Sequence, residues 1–524
     1  MRAGLPRKIT VVIASFGRKL VESYSQCRGD ARDCSGEDRG VDEGTLLLLV
    51  GAILAGSLVV ALGASRSGVP SLVAFLVLGM LLGSDGPGGI EFDDAELART
   101  VGVIGLAAIL YEGGLSTSWR RLRQVAVPAA LLSTVGVALT AILTGAAAFL
   151  LFDVSRLEAV LLGAVVASTD AAAVFATLRY TNIRRRLART LEAETGGNDP
   201  MAIALTIGLI EWIEEPSFAF PQLALLVVEQ LGLGLLVGAA LGAMALWAFS
   251  RLPHSIGAFA PVASVAAGAL AFGVADVIGG SGFLAIYLVG LAVGSTPSRY
   301  RRQLVAFHEG MAYLAQVAMF VVLGLLVFPS DLPEIAVSGL VLSALLALVI
   351  RPAAVWLSTA LNDFTARERA LLGWAGLRGA VPIVLGTFVL SSEIGKAETI
   401  FNAVFFIVVA SALVQGTTLE WVATRLGLAS PGQAVVAPPL EVDALSSLEL
   451  VEFSVATDHA IAGAAVRELG LPRSALIAVV TRRGNTIPPR GSTIIQPADR
   501  LYVLAPRTMR ADLEDVFERW RRRV

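Results

Sequence analysis

Apolar runs long enough to cross a bilayer, about 18 residues or more, recur along this chain from residue 44 to residue 427. No other feature limits its fold as strongly. In hydrocarbon each backbone polar group must be satisfied within its own segment, so a succession of such runs folds as a bundle of helices. Composition agrees: 55% of residues are hydrophobic and 16% charged, against about 45–50% and 25% in soluble domains. Strand signals are weak and confined to the C-terminal end, which argues against an outer-membrane barrel. The net charge of −2 gives no sign of nucleic-acid binding. The expected architecture is an all-α polytopic membrane protein followed by a small α+β domain. Thirteen spans are expected, at 44–64, 69–84, 98–115, 127–152, 157–178, 190–213, 221–249, 260–279, 281–295, 310–328, 335–361, 370–391 and 398–427. The last reads as one span or a broken pair.

Residues 1–43 are polar and mixed in charge. Their apolar run ITVVIASF is too short to span and no small-residue cleavage site follows, so it reads as a tail or an overextended start, not a signal peptide. Cys27 and Cys34 lie in this tail with no histidine nearby. They read as incidental thiols, or as a local disulfide if the tail is outside, and not as a metal pair.

The loops set an orientation. One set is basic: Arg120, Arg121 and Arg123; Arg179 and Arg184 to Arg186; Arg251; Arg299, Arg301 and Arg302; Arg367 and Arg369. The alternate set is acidic: Asp85, Glu91, Asp93 and Asp94; Glu211, Glu214 and Glu215; Asp331 and Glu334. The positive-inside rule places the basic set in the cytoplasm, with the N-terminus outside and the C-terminus inside. An internal repeat is also visible. VPSLVAFLVLGMLLGS (69–84) resembles SGFLAIYLVGLAVGS (281–295). These are the second and ninth spans, seven apart, so they cross in opposite directions, as inverted repeats of secondary transporters do.

After residue 428 the character changes. A linker at 429–441 holds Pro431, Pro438 and Pro439. A cytoplasmic α+β domain at 442–524 is expected to hold strands at 448–455, 475–480 and 500–505 and a short helix at 460–469. A hairpin turn at RRGN (482–485) and a closing amphipathic helix at 508–523 complete it.

Within the membrane region of 44–428, residues 166–200 carry acids where a lipid-facing helix has none: Asp170, Glu194 and Asp199. A charge at membrane depth is costly and marks an ion path or a proton relay. In TLEAETGGNDP (190–200), Glu194 and Asn198 share one helix face and Thr195 and Asp199 share another. Gly196 and Gly197 leave room for a second backbone, and Pro200 frees the carbonyl of Gly196. Ser168-Thr169-Asp170 interrupts the preceding span, and these residue types favour a helix start. A break there exposes carbonyls and sets Asp170 at a half-helix N-terminus. Glu112 ends the third span, Arg351 precedes Pro352 in the eleventh, and Arg378 lies inside the twelfth. A buried guanidinium requires a carboxylate partner. For Arg378 the choices are Glu194 and Glu112, with Glu194 preferred because Asp199 must stay free to exchange ions. GLGLLVG, with Gly232, Gly234 and Gly238, follows no strand and reads as helix packing, not a dinucleotide loop.

Taken together, ASTDAAAVF, ETGGNDP, EGG and GLRGAVP resemble the monovalent cation/proton antiporters of the NhaP and sodium/proton-exchanger branch, over about residues 45–427. The C-terminal domain resembles the RCK_C (TrkA-C) regulatory domains, and the combination is most similar to bacterial potassium/proton antiporters of the NhaP type. The resemblance implies that Asp199 binds either a proton or a monovalent cation and that Asn198 braces the crossed broken helices near Asp170. It implies that Thr169 offers a carbonyl and that Thr195 stands where relatives often have serine. Glu194 and Arg378 would form a buried structural ion pair, with Glu112 and Arg351 as accessory candidates. It further implies electroneutral exchange in a bacterial cell membrane, a homodimer surrounded by lipid, and a small regulatory ligand at the C-terminal domain. No cofactor, catalytic residue or nucleic-acid partner is expected. Two rival readings are a cation channel gated by the RCK-like domain and a sensor on a transporter fold. The chain lacks a TVGYG-type filter, and its intact acids disfavour the sensor.

Overall fold

The computed structural model describes residues 43–67, 70–170, 174, 181–251, 259–295, 300–431, 448–472, 474–482, 485–506 and 509–521. The N-terminal tail with Cys27 and Cys34, Arg179 and Arg299 of the basic loops, and Pro438 and Pro439 of the linker lie outside the described residues. The chain divides at Pro431 and Gly432 into two compact units.

The first unit is helical. In order it contains α1 (Glu43–Ser67), α2 (Ser71–Leu82), α3 (Ala95–Ser116), α4 (Ala126–Leu151), α5 (Arg156–Val165), α6 (Arg185–Glu214) and α7 (Phe220–Arg251). It continues with α8 (Ala260–Val277), α9 (Gly282–Ser295), α10 (Arg301–Leu325), α11 (Leu332–Ser358), α12 (Ala366–Trp374), α13 (Ala380–Leu390) and α14 (Ala397–Arg425). Among the described residues eight of these, α1, α3, α4, α7, α8, α10, α11 and α14, are long and apolar enough to cross a membrane. Helix α2, α9 and α13 are apolar but shorter. Helix occupies each of the thirteen expected spans, yet only eight meet the length and hydropathy of a full crossing.

The element order repeats. From α2 to α6 the chain gives a 12-residue helix, a 22-residue helix, a 26-residue helix, a broken span and a 30-residue helix. From α9 to α14 it gives 14, 25 and 27 residues, a broken span and 29 residues. Both broken spans open with a capping box, Ser155 with Glu158 and Thr365 with Glu368. The likeness of 69–84 to 281–295 therefore extends to five elements on each side.

Lipid and close helix packing explain the rest of this unit. Helix α1 shows Leu47, Leu58 and Leu62 on its surface, as a lipid-facing helix must. Where helices cross tightly, glycine stands at the contact. A Cβ on Gly114 of α3 would come within 2.9 Å of the Leu291 amide of α9. Gly234 and Gly238 of α7 pack on α9 in the same way, in keeping with the packing role read from GLGLLVG. Helix α11 widens into a π turn at Leu346–Ile350 just before Pro352, which cannot donate to a preceding carbonyl. The span at 398–427 is likewise a continuous helix carrying a π turn at Ser411–Gly416, and not a broken pair.

A two-stranded antiparallel ladder joins β1 (Thr181–Ile183) to β2 (Ala429–Pro431). The residues expected to begin the linker thus pair with the lead-in to α6.

The second unit is a four-stranded antiparallel sheet in the order β3-β6-β4-β5, formed by β3 (Leu448–Ser454), β4 (Leu476–Arg482), β5 (Asn485–Ile487) and β6 (Arg500–Pro506). Helix α15 (Arg510–Arg521) closes it, with Phe517 and Trp520 packed on Phe453 at ring distances of 5.0 and 5.2 Å. Pairing of Arg482 with Asn485 brackets the expected hairpin turn. The expected helix at 460–469 is not formed; only Val466–Glu468 turn, as a 3-10 helix. Gly463 sits at φ 95°, a conformation that ends a helix. The amides of Gly463, Val466 and Arg467 donate instead to the carbonyls of Ile495, Thr493 and Gly491.

Asp499 fixes the turn before β6. Its buried carboxylate accepts from Arg482 Nε at 2.8 Å, Arg482 Nη2 at 2.7 Å and the Gln496 amide at 2.8 Å. Burial alone would raise this carboxyl, but the Arg482 fork and the Gln496 amide outweigh it and hold it below its ordinary 3.8. A carboxyl lowered by folding stabilises the fold above its unfolded value, and that stability is lost as pH falls through the folded value. Asp499→Asn in a 432–524 fragment should cost about 2 kcal/mol in urea unfolding at pH 7. The gap from wild type should narrow at pH 3.

Candidate ion site

Two helix breaks meet at the centre of the first unit. The first follows α5. The chain leaves the helix at Val166 and runs extended through Ser168, Thr169 and Asp170. The second of the expected crossed breaks falls where one continuous span was placed: residues 370–391 are not one span, but end at Trp374 and resume at Ala380. Gly376, Gly379 and Pro382 flank that gap and were its signal in the sequence. The breaks are tied directly, since the Asp170 amide donates to the Leu377 carbonyl at 2.8 Å. Val174 donates to the Asp170 carbonyl at 3.3 Å. A Cβ on Gly379 would collide with the Asp170 carboxylate, so glycine there is what lets the breaks approach.

Arg378 serves the breaks and not Glu194. Its Nη1 donates to the carbonyls of Ala167 at 2.7 Å and Ser168 at 2.5 Å. These are oxygens that the end of α5 leaves without helical partners. Its amide donates to Ser411 Oγ at 3.0 Å. Ser411 donates to Gln415 Oε1 at 2.6 Å, and Gln415 Nε2 donates to the Trp374 carbonyl at 3.0 Å. The π turn of α14 thus caps the second break. Ser411 and Gln415 sit among apolar residues in the sequence and gave no warning of this role.

The carboxylate of Glu194 pairs with Arg351, which corrects the expected Glu194–Arg378 pair. Both side chains are 1% exposed. Gly376 makes room for Arg351: a Cβ there would lie 2.8 Å from its Nε. The break itself holds Arg378 through its carbonyls, and Arg351, on unbroken helix, is the guanidinium that reaches α6.

Asn198 and Asp199 face the first break. Asn198 Nδ2 donates to Thr169 Oγ1 at 2.6 Å and to the Thr169 carbonyl at 3.4 Å. Asp199 is 3% exposed, and its Oδ1 makes no hydrogen bond within the protein. Thr195 donates to the Leu191 carbonyl at 3.2 Å. Gly196 and Gly197 do admit a close approach, but of side chains, not backbone: the Tyr287 ring lies at Gly196 and Ser133 Oγ at Gly197.

A cavity of about 480 Å3 opens onto these groups. Its polar lining includes Thr169, Asp170, Thr195, Asp199 and Glu112. Glu112 accepts from Ser116 Oγ at 2.6 Å. Glu192 and Tyr287 line it too, and sequence reading missed both.

The charges brought together are uneven. Arg351 and Arg378 stand against Glu194, Asp170 and Asp199. Ionised, these five groups sum to one negative charge, apart from Glu112 and Glu192 elsewhere on the cavity wall. A low-dielectric interior disfavours an isolated charge.

The reassigned pair is testable by a double-mutant cycle on thermal stability in detergent. Glu194→Gln leaves a buried guanidinium uncompensated and should cost about 3–5 kcal/mol. It should couple strongly to Arg351→Met and weakly to Arg378→Met; the reverse order would restore the original pairing.

Comparisons with known proteins place the chain in a family. The transmembrane sodium/hydrogen exchanger family matches residues 49–425, and the TrkA-C domain matches residues 450–518. The chain is similar to the K(+)/H(+) antiporter NhaP2 of Shewanella sp. strain ANA-3, 38% identical over 477 residues, covering 90% of this chain and 83% of that one. It is similar to the K(+)/H(+) antiporter NhaP of Alkalimonas amylolytica, 36% identical over 475 residues, covering 90% and 82%. The sodium proton antiporter MjNhaP1 of Methanocaldococcus jannaschii shares the fold at TM-score 0.66 and 23% identity, covering 72% of this chain and 98% of that one. The chain belongs to the transmembrane sodium/hydrogen exchanger family, the monovalent cation/proton antiporters, and carries a TrkA-C domain after its membrane unit.

Proposed function

We propose that this protein exchanges a monovalent cation, potassium in preference to sodium, for a proton across the cell membrane, and that Asp199 carries each in turn. The observation that supports it most is the buried Asp199 carboxylate, with Oδ1 unpartnered, at the wall of a cavity within a set of charges one short of neutrality. A proton or a cation neutralises that set equally, and binding one removes the reason to bind the other. Competition at a single carboxylate yields one-for-one exchange, which moves no net charge. Asn198 holds the broken backbone beside Asp199 and adds no second acid. Asp170, Thr169 and Thr195 supply the remaining oxygens around the ion, and Arg378 and Arg351 keep the site rigid and balanced.

Potassium is preferred because the relatives that cover 90% of the chain are named as potassium/proton antiporters. The N-terminus lies outside and the TrkA-C domain in the cytoplasm, following the alternation of basic and acidic loops. Two copies form a homodimer in lipid. The TrkA-C domain adjusts transport in response to a small cytoplasmic ligand.

Proteoliposomes with an imposed pH gradient test this reading by fluorescence dequenching. Potassium should dequench at lower concentration than sodium or lithium, and the rate should not follow an imposed membrane potential. Asp199→Asn should abolish exchange with protein still in the membrane; full exchange by that variant would end the mechanism. Dequenching by sodium alone would keep the mechanism and change the cation. Deleting 432–524 should alter the pH or ligand dependence of exchange and leave the ion site working.

A further inference from the structure

Glu192 and Tyr287 line the cavity and have no part in the exchange step. Glu192 lies on α6 seven residues before Asp199, two helical turns and about 10 Å along the axis. Thr195 and Gly196 stand between them on the same face, and Ala188 extends the stripe one turn beyond. The cavity therefore follows one face of α6 from near its basic start to the exchange carboxylate. On the opposite wall stand Glu112, on α3, and Tyr287, on α9. Tyr287 is 6% exposed, its ring packs on Gly196, and its hydroxyl makes no hydrogen bond within the protein. A buried hydroxyl left without a protein partner on a cavity wall is a group waiting for a ligand or water.

We propose that Glu192, Glu112 and the Tyr287 hydroxyl form an outer station that holds the partly dehydrated monovalent cation between the cavity mouth and Asp199. The station sets the apparent affinity and the preference among monovalent cations. It rests on the reading of Asp199 as the exchange carboxylate. The donors are all hard oxygens, which suit alkali cations. The two carboxylates raise the local cation concentration, and the hydroxyl replaces part of its water shell. The Tyr287 ring packs directly on Gly196, which fixes its hydroxyl on the cavity wall beside the helix of Asp199, so Tyr287 weighs cation size where the carboxylates weigh charge. Glycine at 196 is needed for this placement, because a Cβ would meet the ring.

The test uses the full chain in proteoliposomes, measuring apparent KM and maximal rate for potassium and for sodium at fixed pH. Glu192→Gln should raise KM for potassium about three- to tenfold, the size Coulomb's law gives for a unit charge at about 10 Å in partly wet protein. Maximal rate should stay within about twofold, and Glu192→Asp should bring KM most of the way back. Tyr287→Phe keeps the ring and should change the ratio of potassium to sodium KM by about threefold or more. KM values unchanged in both Glu192→Gln and Tyr287→Phe, beside an active wild type, would overturn the station and leave Asp199 as the exchange site. A fall in maximal rate at unchanged KM would overturn it as well, by making Glu192 a structural or proton-path residue. A wild type that exchanges no cation would overturn both readings.

Discussion

The structure depends on how two broken helices satisfy each other. A break at membrane depth strands carbonyls and amides where water cannot reach them, and each stranded group is expensive. Here the Asp170 amide finds the Leu377 carbonyl, and the Arg378 guanidinium finds the carbonyls of Ala167 and Ser168. Each break is therefore the other's hydrogen-bonding partner. The small residues around them, Gly376 and Gly379, are what let two backbones and a guanidinium share the space. Ser411 and Gln415 on the π turn of α14 anchor the second break from behind.

From that crossing the ion site follows. The break turns Thr169 and Asp170 toward α6, and Asn198 locks onto Thr169. Asp199, the next residue, is thereby held at the cavity wall with an oxygen to spare. Glu194 points away from that wall, into its pair with Arg351. One helix thus carries a carboxylate committed to structure and, five residues on, the carboxylate proposed to exchange proton and cation. The division of labour comes from helical periodicity, which separates the two by more than a full turn and sends them to different neighbours.

Much of this was legible in the sequence, and the parts that were not share a cause. The acids at 170, 194 and 199 announced themselves because a charge in an apolar run is costly and needs a reason. The first break was readable because Ser168, Thr169 and Asp170 compete with helical hydrogen bonds. The three sheet strands of the C-terminal unit that alternate clearly were found within about two residues of their ends. The second break was hidden, because Gly376 and Gly379 in an apolar run also read as helix packing. The partner of Glu194 went astray because two buried arginines were available and the sequence cannot say which faces α6. Tyr287 and Glu192 were missed for the same reason: their importance lies in what stands opposite them, and an aromatic or a Glu at helical spacing has a bland reading alone. The helix expected at 460–469 failed where a left-handed glycine and amide bonds to the carbonyls of Gly491, Thr493 and Ile495 overrode local preference.

We propose that the net negative charge around Asp199 is neutralised by either one proton or one cation. The most direct measurement is the number of protons released per cation bound by the purified protein in detergent. Titration with potassium in weakly buffered solution, read with a pH indicator, gives that number at a pH where the site starts protonated. The account predicts close to one proton per cation, and no release from Asp199→Asn. Cation binding without proton release, or equal release from Asp199→Asn, would contradict it.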